Sequence, residues 1–202
     1  MARRLDRILV IDVESTCWEG PPPRGQMSEI IEIGLCVLDV ARLEPLETRA
    51  ILVRPQQSEV SDFCTRLTSI TPEMLSNAIT LGQAMDVLRR EYHPGDRVFA
   101  SWGDYDRNQF KRNCDFYGLE YPFGPTHWNV KTFFGLVLGM EREIGIDAAC
   151  DLLGLPFAGT HHRGVDDAVN ITAILRELLM RSRGEITKLD LPRDRGEEGR
   201  IE

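Results

Sequence analysis

The sequence predicts an α/β domain with a mixed five-stranded sheet flanked by helices. Three features carry this reading: a continuous apolar strand near the start, two further strands close enough to pair antiparallel, and a later alternation of helical patterns with short strands. The chain has 202 residues, 42% of them hydrophobic, which suits one sizeable core better than two independent domains. No apolar run reaches the length of a bilayer span. The opening MARRLDRILVIDVE passes from arginines straight into a strand that carries carboxylates, unlike a signal peptide. A soluble, cytoplasmic protein with no membrane partner is therefore expected. Cysteines 17, 36, 64, 114 and 150 are scattered, odd in number and without a C-x-x-C pair. That usage fits a reducing compartment and argues against a disulfide framework or a zinc knuckle.

The elements follow in order. Residues 7–13 contain ILVI, a run typical of a strand covered on both faces. Gly20, Pro21, Pro22, Pro23 and Gly25 make 15–28 a loop. Residues 29–39 and 47–54 read as an antiparallel pair across a short polar connection. Helical patterns start at Ser61, at Thr71 with Pro72 in the first helical position, and over 80–92. VFAS makes 97–101 a fourth strand, leading into a helix over 104–117 that Gly118 stops. A short fifth strand falls at 127–130. Further helices are expected over 131–138, 146–153 and 164–183, and beyond Gly184 the chain is charged and poor in large apolar residues, as a loosely held tail would be.

Candidate chemistry lies in the carboxylates. Asp12 and Glu14 form D-x-E at the end of the first strand, on one face because strand side chains alternate. With 32 acidic residues in the chain, about five such pairs arise by chance, most of them solvated. Position raises this one: ionisable groups at the C-terminal end of an apolar strand lie where open α/β sheets place their ligand crevice. Helix faces separate two further choices. From Asp106, steps along the helix reach Phe110, Cys114 and Tyr117, an apolar stripe, whereas from Asp104 they reach Asn108, Arg112 and Asp115. Asp106 is thus the buried candidate, and Asp104 reads as a helix cap. Likewise Asp167 leads to Ile171, Ile174, Leu175 and Leu178, and Asp166 to Asn170, Ala173 and Glu177. Asp167 becomes the candidate ligand, and Asp166 a first-turn carboxylate stabilised by the helix dipole. His162, in a segment between Gly159 and Gly164 expected to be mobile, is close enough in sequence to act beside Asp167. Its neighbour His161 reads as simply solvated.

In order and spacing, DVEST at the first strand, SWGDYD before the middle helix and HHRGVDDAVNI near the end resemble the three motifs of the DEDDh (DnaQ-like, RNase T-like) 3′-to-5′ exonucleases. SDFCTRLTSIT, with VRP upstream and STC after the first motif, further resembles the branch containing the histone-mRNA 3′ exonuclease and the prion-protein-interacting exonuclease. The resemblance covers residues 5–183 as an exonuclease domain, with 184–202 as the tail, and implies a ribonuclease H-like sheet. It implies that Asp12, Glu14, Asp106 and Asp167 are metal ligands and that His162 is the general base. In that branch the positions matching Phe63 and Leu67 hold the terminal base, the aromatic matching Tyr105 lies near the nucleotide, and the backbone around Ser15 and Thr16 approaches the terminal ribose. Phe63 and Leu67 equally suit a plain i, i+4 apolar pair packing a short helix. Tyr105 stands where a tryptophan is expected, and the accessory nucleic-acid-binding domain of the animal enzymes is not foreseen, so the substrate stays open.

The expected chemistry is phosphodiester hydrolysis with two divalent cations about 4 Å apart. All-oxygen ligation points to Mg²⁺ or Mn²⁺, two ions per site, with Asp12 bridging, Glu14 and Asp167 on the nucleophile side and Asp106 acting mainly through waters. His162 takes the proton from the attacking water, and a nucleoside 5′-monophosphate leaves. The expected partners are 3′ ends of single-stranded RNA or DNA, with RNA favoured by the branch resemblance. A net charge of −8 opposes this, since affinity for phosphates comes largely from Lys and Arg. An enzyme that grips only a strand end needs few such contacts, and bound cations add charge that the sequence count omits. Two other readings share these residues: an RNase H-type endonuclease, and a catalytically silent regulatory protein that uses the nuclease fold to bind partners.

Overall fold

A computed structural model of the chain describes residues 4–186. Strand β1 (Arg7–Ser15) pairs antiparallel with β2 (Ile30–Asp39), which pairs antiparallel with β3 (Glu44–Leu52). On the other side β1 pairs parallel with β4 (Val98–Ser101), and β4 pairs parallel with β5 (His127–Asn129). The sheet order is β3-β2-β1-β4-β5, the mixed five-stranded sheet expected. β1 runs two residues further than expected because Glu14 pairs with Glu32 across β2, and a register shift follows between Glu14 and Ser15. β3 begins at Glu44, ahead of the expected 47, and carries Pro45, which an edge strand tolerates.

Three helices, α1 (Asp62–Thr68), α2 (Pro72–Leu75) and α3 (Leu81–Tyr92), separate β3 from β4. Ser61 and Thr71 cap the first two, and Thr80 with Gln83 closes a reciprocal capping box on the third. Helix α4 (Tyr105–Tyr117) follows β4 and stops at Gly118, which takes the left-handed conformation (φ 62°) that glycine adopts without strain. Helices α5 (Val130–Val137), α6 (Ile146–Leu153) and α7 (Gly164–Ile186) complete the order. Helix α7 continues to Ile186, into the segment read as a tail, and residues 187–202 of that segment lie outside the described residues.

Two cores sandwich the sheet. Leu9, Ile11 and Val13 of β1 pack with α3, Phe110 and Cys114, while Ile8 and Val10 pack with α5, α6 and the α7 stripe Ile171, Ile174, Leu175 and Leu178. That α7 stripe is wholly buried, each side chain contributing about 1.5–3 kcal/mol. A third, smaller core of Ile31, Cys64, Ile70 and Leu75 seats α1 and α2. All five cysteines are free. Among the described residues no helix is long and apolar enough to cross a membrane.

Candidate active site

The alternation along β1 that sends Ile8 and Val10 towards α7 continues through Asp12 and Glu14. Both carboxylates therefore emerge on that face at the C-terminal end of the strand. Helix α4 brings Asp106 to the same end, where its Oδ1 accepts the backbone N–H of Val13 at 2.9 Å. Helix α7 brings Asp167, whose Oδ2 accepts the N–H of His162 at 2.9 Å. Asp106 and Asp167 are each only 3% exposed, as their helix stripes require, while Asp104 is exposed. These residues line one cleft of about 290 Å³ together with Ser15, Cys17, Leu67, Trp102, Tyr105, Ile146, His161 and His162.

Residues that the sequence reading passed over hold α7 in place. A Cβ on Gly34 would stand 1.9 Å from the Gly164 carbonyl carbon, and one on Gly164 would stand 2.8 Å from the Asp12 carbonyl oxygen. Only paired glycines let the start of α7 touch β1 and β2 this closely. Glu32, wholly buried on β2, accepts two hydrogen bonds from Arg163, at 2.9 and 3.2 Å, and a third from the Gly164 N–H at 2.9 Å. The segment expected to be mobile is fastened further by Thr160 N–H to Asp166 at 2.8 Å and by two bonds between Ala158 and Asn170. Asp166 thus serves as a tie for this loop. No local pattern in IIEIGLC marks Glu32 or Gly34; their importance comes from strand register, Glu14 opposite Glu32 and Asp12 opposite Gly34.

The expectations for Asp104 and His161 need correction. Asp104 occupies the cap position of α4, but its side chain makes no capping bond; it pairs with Arg107 at 3.1 Å and lies 3.5 Å from His127. His127 is pushed down to about 4, chiefly by burial, and its Nε2 is 2.7 Å from the Ser101 hydroxyl. His161 is half-buried, its ring stacked on Phe157, and it lines the cleft where simple solvation was expected. Of the residues proposed to meet the nucleotide, Ser15, Leu67 and Tyr105 line the cleft. Phe63 is half-buried on α1 and lies outside the lining, and Thr16 is fully buried, donating to the Met27 carbonyl and accepting from Glu29 N–H. Helix α1 is seated by Ser61 Oγ donating to the Cys17 carbonyl at 2.6 Å, which sets Leu67 over the cleft.

So many acids in one place repel. Burial, then the Asp106, Glu14, Asp167 and Glu32 carboxylates, pushes Asp12 well above the carboxylate range. Burial likewise lifts Glu14 to about 9, Asp106 to about 7 and Asp167 to about 6, with Arg163 opposing at Glu14 and the Val13 N–H at Asp106. His162 is lowered by burial and then by His161. One oxygen each of Asp12, Glu14 and Asp167 lie within 4.8 Å of one another, and Asp167 Oδ1 is buried without a hydrogen-bond partner. This all-oxygen donor set suits a hard divalent cation, which would relieve the repulsion and complete the orphaned oxygen.

Residues 9–175 match the RNase T exonuclease family. The chain belongs to this exonuclease family. It is 31% identical over 187 residues to "3'-5' exoribonuclease 1" of Homo sapiens, covering 86% of this chain and 52% of that protein. It is 26% identical over 164 residues to "Probable 3'-5' exonuclease KapD" of Bacillus subtilis, covering 80% and 79%. The chain thus spans about half the length of its human relative. The nuclease domain of 3'hExo, a DEDDh family member solved with rAMP bound, superimposes with a TM-score of 0.80 at 30% identity, covering 87% of this chain and 92% of that one. A 3'-exonuclease solved in a study of histone mRNA stem-loop recognition superimposes at 0.79 and 29%, covering 89% and 65%. The exonuclease family's ribonuclease H-like fold and the histone-mRNA branch resemblance are both supported by these neighbours.

Proposed function

We propose that this exonuclease-family chain hydrolyses single-stranded nucleic acid from the 3′ end, with RNA favoured, releasing nucleoside 5′-monophosphates. The observation that carries the reading is the Asp12–Glu14–Asp167 cluster, with Asp106 and His162 in the same cleft. Two Mg²⁺ or Mn²⁺ ions, held by Asp12, Glu14, Asp167 and Asp106, supply charge neutralisation at the phosphate and water activation when bound. His162, its pKa lowered by burial, is neutral near pH 7 and accepts the proton of the attacking water through a ring nitrogen. Asp167 holds the His162 backbone through their hydrogen bond, keeping base and ligand in one unit. Leu67 and Tyr105, 37% and 51% exposed, offer apolar surface from α1 and α4 to a terminal base. RNA is favoured because the relatives are named exoribonucleases and the nuclease-domain neighbour binds rAMP.

The decisive experiment offers 5′-labelled single-stranded RNA and DNA side by side with Mg²⁺ or Mn²⁺, with Asp12→Asn as the blank. A ladder shortening from the 3′ end, absent in the blank, is expected. Internal fragments would point to an endonuclease instead, and a silent wild type that still binds partners without metal would overturn the enzymatic reading.

A further inference from the structure

The loop before α7 holds a second donor cluster, chemically distinct from the all-oxygen one. His162 sits at φ 63°, a left-handed conformation that non-glycine residues seldom adopt. The His161 and His162 rings, neighbours in sequence, lie side by side with centroids 4.1 Å apart and planes 39° apart. Phe157 stacks against His161 at 5.4 Å with an 18° interplanar angle, fixing that ring. Beneath them the His162 N–H occupies Asp167 Oδ2 and leaves the buried Oδ1 without a partner. One donor atom each of His161, His162 and Asp167 lie within 4.8 Å of one another.

We infer that His161, His162 and Asp167 form a binding site for a borderline transition ion of the Zn²⁺ class, and that filling it stops the reaction. Two imidazoles and a carboxylate are a donor set that suits Zn²⁺ with an open fourth position, whereas Asp12, Glu14 and Asp167 offer oxygen alone. Zinc binds such nitrogen-containing sites more tightly than Mn²⁺, by the ordinary order of divalent affinities. The His162 side chain, partly open to solvent and partly packed against His161, can close onto an ion, while stacked His161 and buried Asp167 are already placed. A neutral imidazole has one ring lone pair. Once that pair is given to a cation, His162 has none with which to take a proton from water. Asp167 is shared between the clusters, so the same ion also withdraws a ligand from the oxygen set. The inhibitory half of this inference rests on the exonuclease reading; the binding half stands without it.

The test uses Co²⁺ as a visible stand-in for Zn²⁺, added to the full chain with Mg²⁺ in excess. Four-coordinate, nitrogen-bound Co²⁺ should give strong visible absorption at one ion per chain, bleached by added Zn²⁺. His161→Gln and His161→Phe should both lose the band; the phenylalanine keeps the stack on Phe157, so a loss in both marks a ligand rather than a packing role. In Mg²⁺-supported hydrolysis, with each variant scaled to its own zinc-free rate, half-inhibition should need about tenfold more Zn²⁺ in both variants, since losing a direct ligand weakens a site at least as much as losing an outer-shell partner. An unchanged cobalt band in the two variants would overturn the site. Equal zinc sensitivity of wild type and variants would overturn the inhibition. If the chain hydrolyses no nucleic acid at all, the exonuclease reading falls and the cobalt band still decides whether the ion binds.

Discussion

Helices α4 and α7 both open on two nearby aspartates, one turned into the cleft and one outward, yet they are fastened to the sheet in opposite ways. At α4 the inward carboxylate is itself the fastening: Asp106 Oδ1 takes the Val13 N–H. At α7 the fastening is done by others, through the Gly34–Gly164 contact and the Glu32–Arg163–Gly164 hydrogen bonds, so Asp167 keeps a buried oxygen without a partner. Structure and chemistry are therefore joined in Asp106 and separable at Asp167.

The sharpest test of that separation is Asp167→Asn. Turnover should fall by about a thousandfold, some 4 kcal/mol of transition-state stabilisation. Metal-free stability at pH 8 should rise, because a buried charge is gone. A variant that loses activity and stability together would contradict the separation. Gly34→Ala attacks the other fastening. Its new methyl lies in the Gly164 backbone, so α7 must back away, with a stability loss of about 3 kcal/mol and a turnover loss of about a hundredfold. Near-normal values in both assays would mean that the glycine contact does not set the position of Asp167.

Asp106 offers the matched experiment. Asp106→Asn keeps an oxygen for the Val13 N–H and also removes a buried charge, so it should lose activity while melting no lower than the wild type. Asp106→Ala leaves that buried N–H unpaired and should be less stable than the Asn variant by about 1–3 kcal/mol. Equal melting temperatures would show that the bond contributes nothing. The smallest effect is the pH response of metal-free protein. Asp167, Asp106 and Glu14 are raised to about 6, 7 and 9, above their ordinary 3.8 to 4.5. The folded state then retains protons that the unfolded state has released, so stability falls as pH climbs through those values. In chelator the melting temperature should drop by about 5 °C or more between pH 5 and pH 9, and Mg²⁺ should remove the drop. A melting temperature that is flat with pH in chelator would argue that the carboxylates do not burden the fold.

The same contrast explains what could be read from sequence. The inward face of each helix is a local property: the apolar residues that follow Asp106 and Asp167 at helical spacing repeat on one side, and both aspartates are buried as that spacing requires. Likewise the apolar run in β1 and the caps at Ser61, Thr71 and Thr80 foretell their elements because each acts within a few residues. Glu32, Gly34 and Arg163 were illegible because their meaning lies in pairings across the sheet and across more than a hundred residues. His161 escaped for a related reason. Its place beside His162 depends on a backbone angle that no residue type in HHRG announces.

The docking of Gly164 onto Gly34 also orders events in time. The first carboxylate of the cluster stands at position 12 and the last at 167, on α7, the last helix among the described residues. A chain still being synthesised carries Asp12, Glu14 and Asp106 long before α7 emerges and can close this long-range contact. On the proposed reading, a half-made polypeptide is harmless to the transcript that encodes it, and only the finished domain is armed.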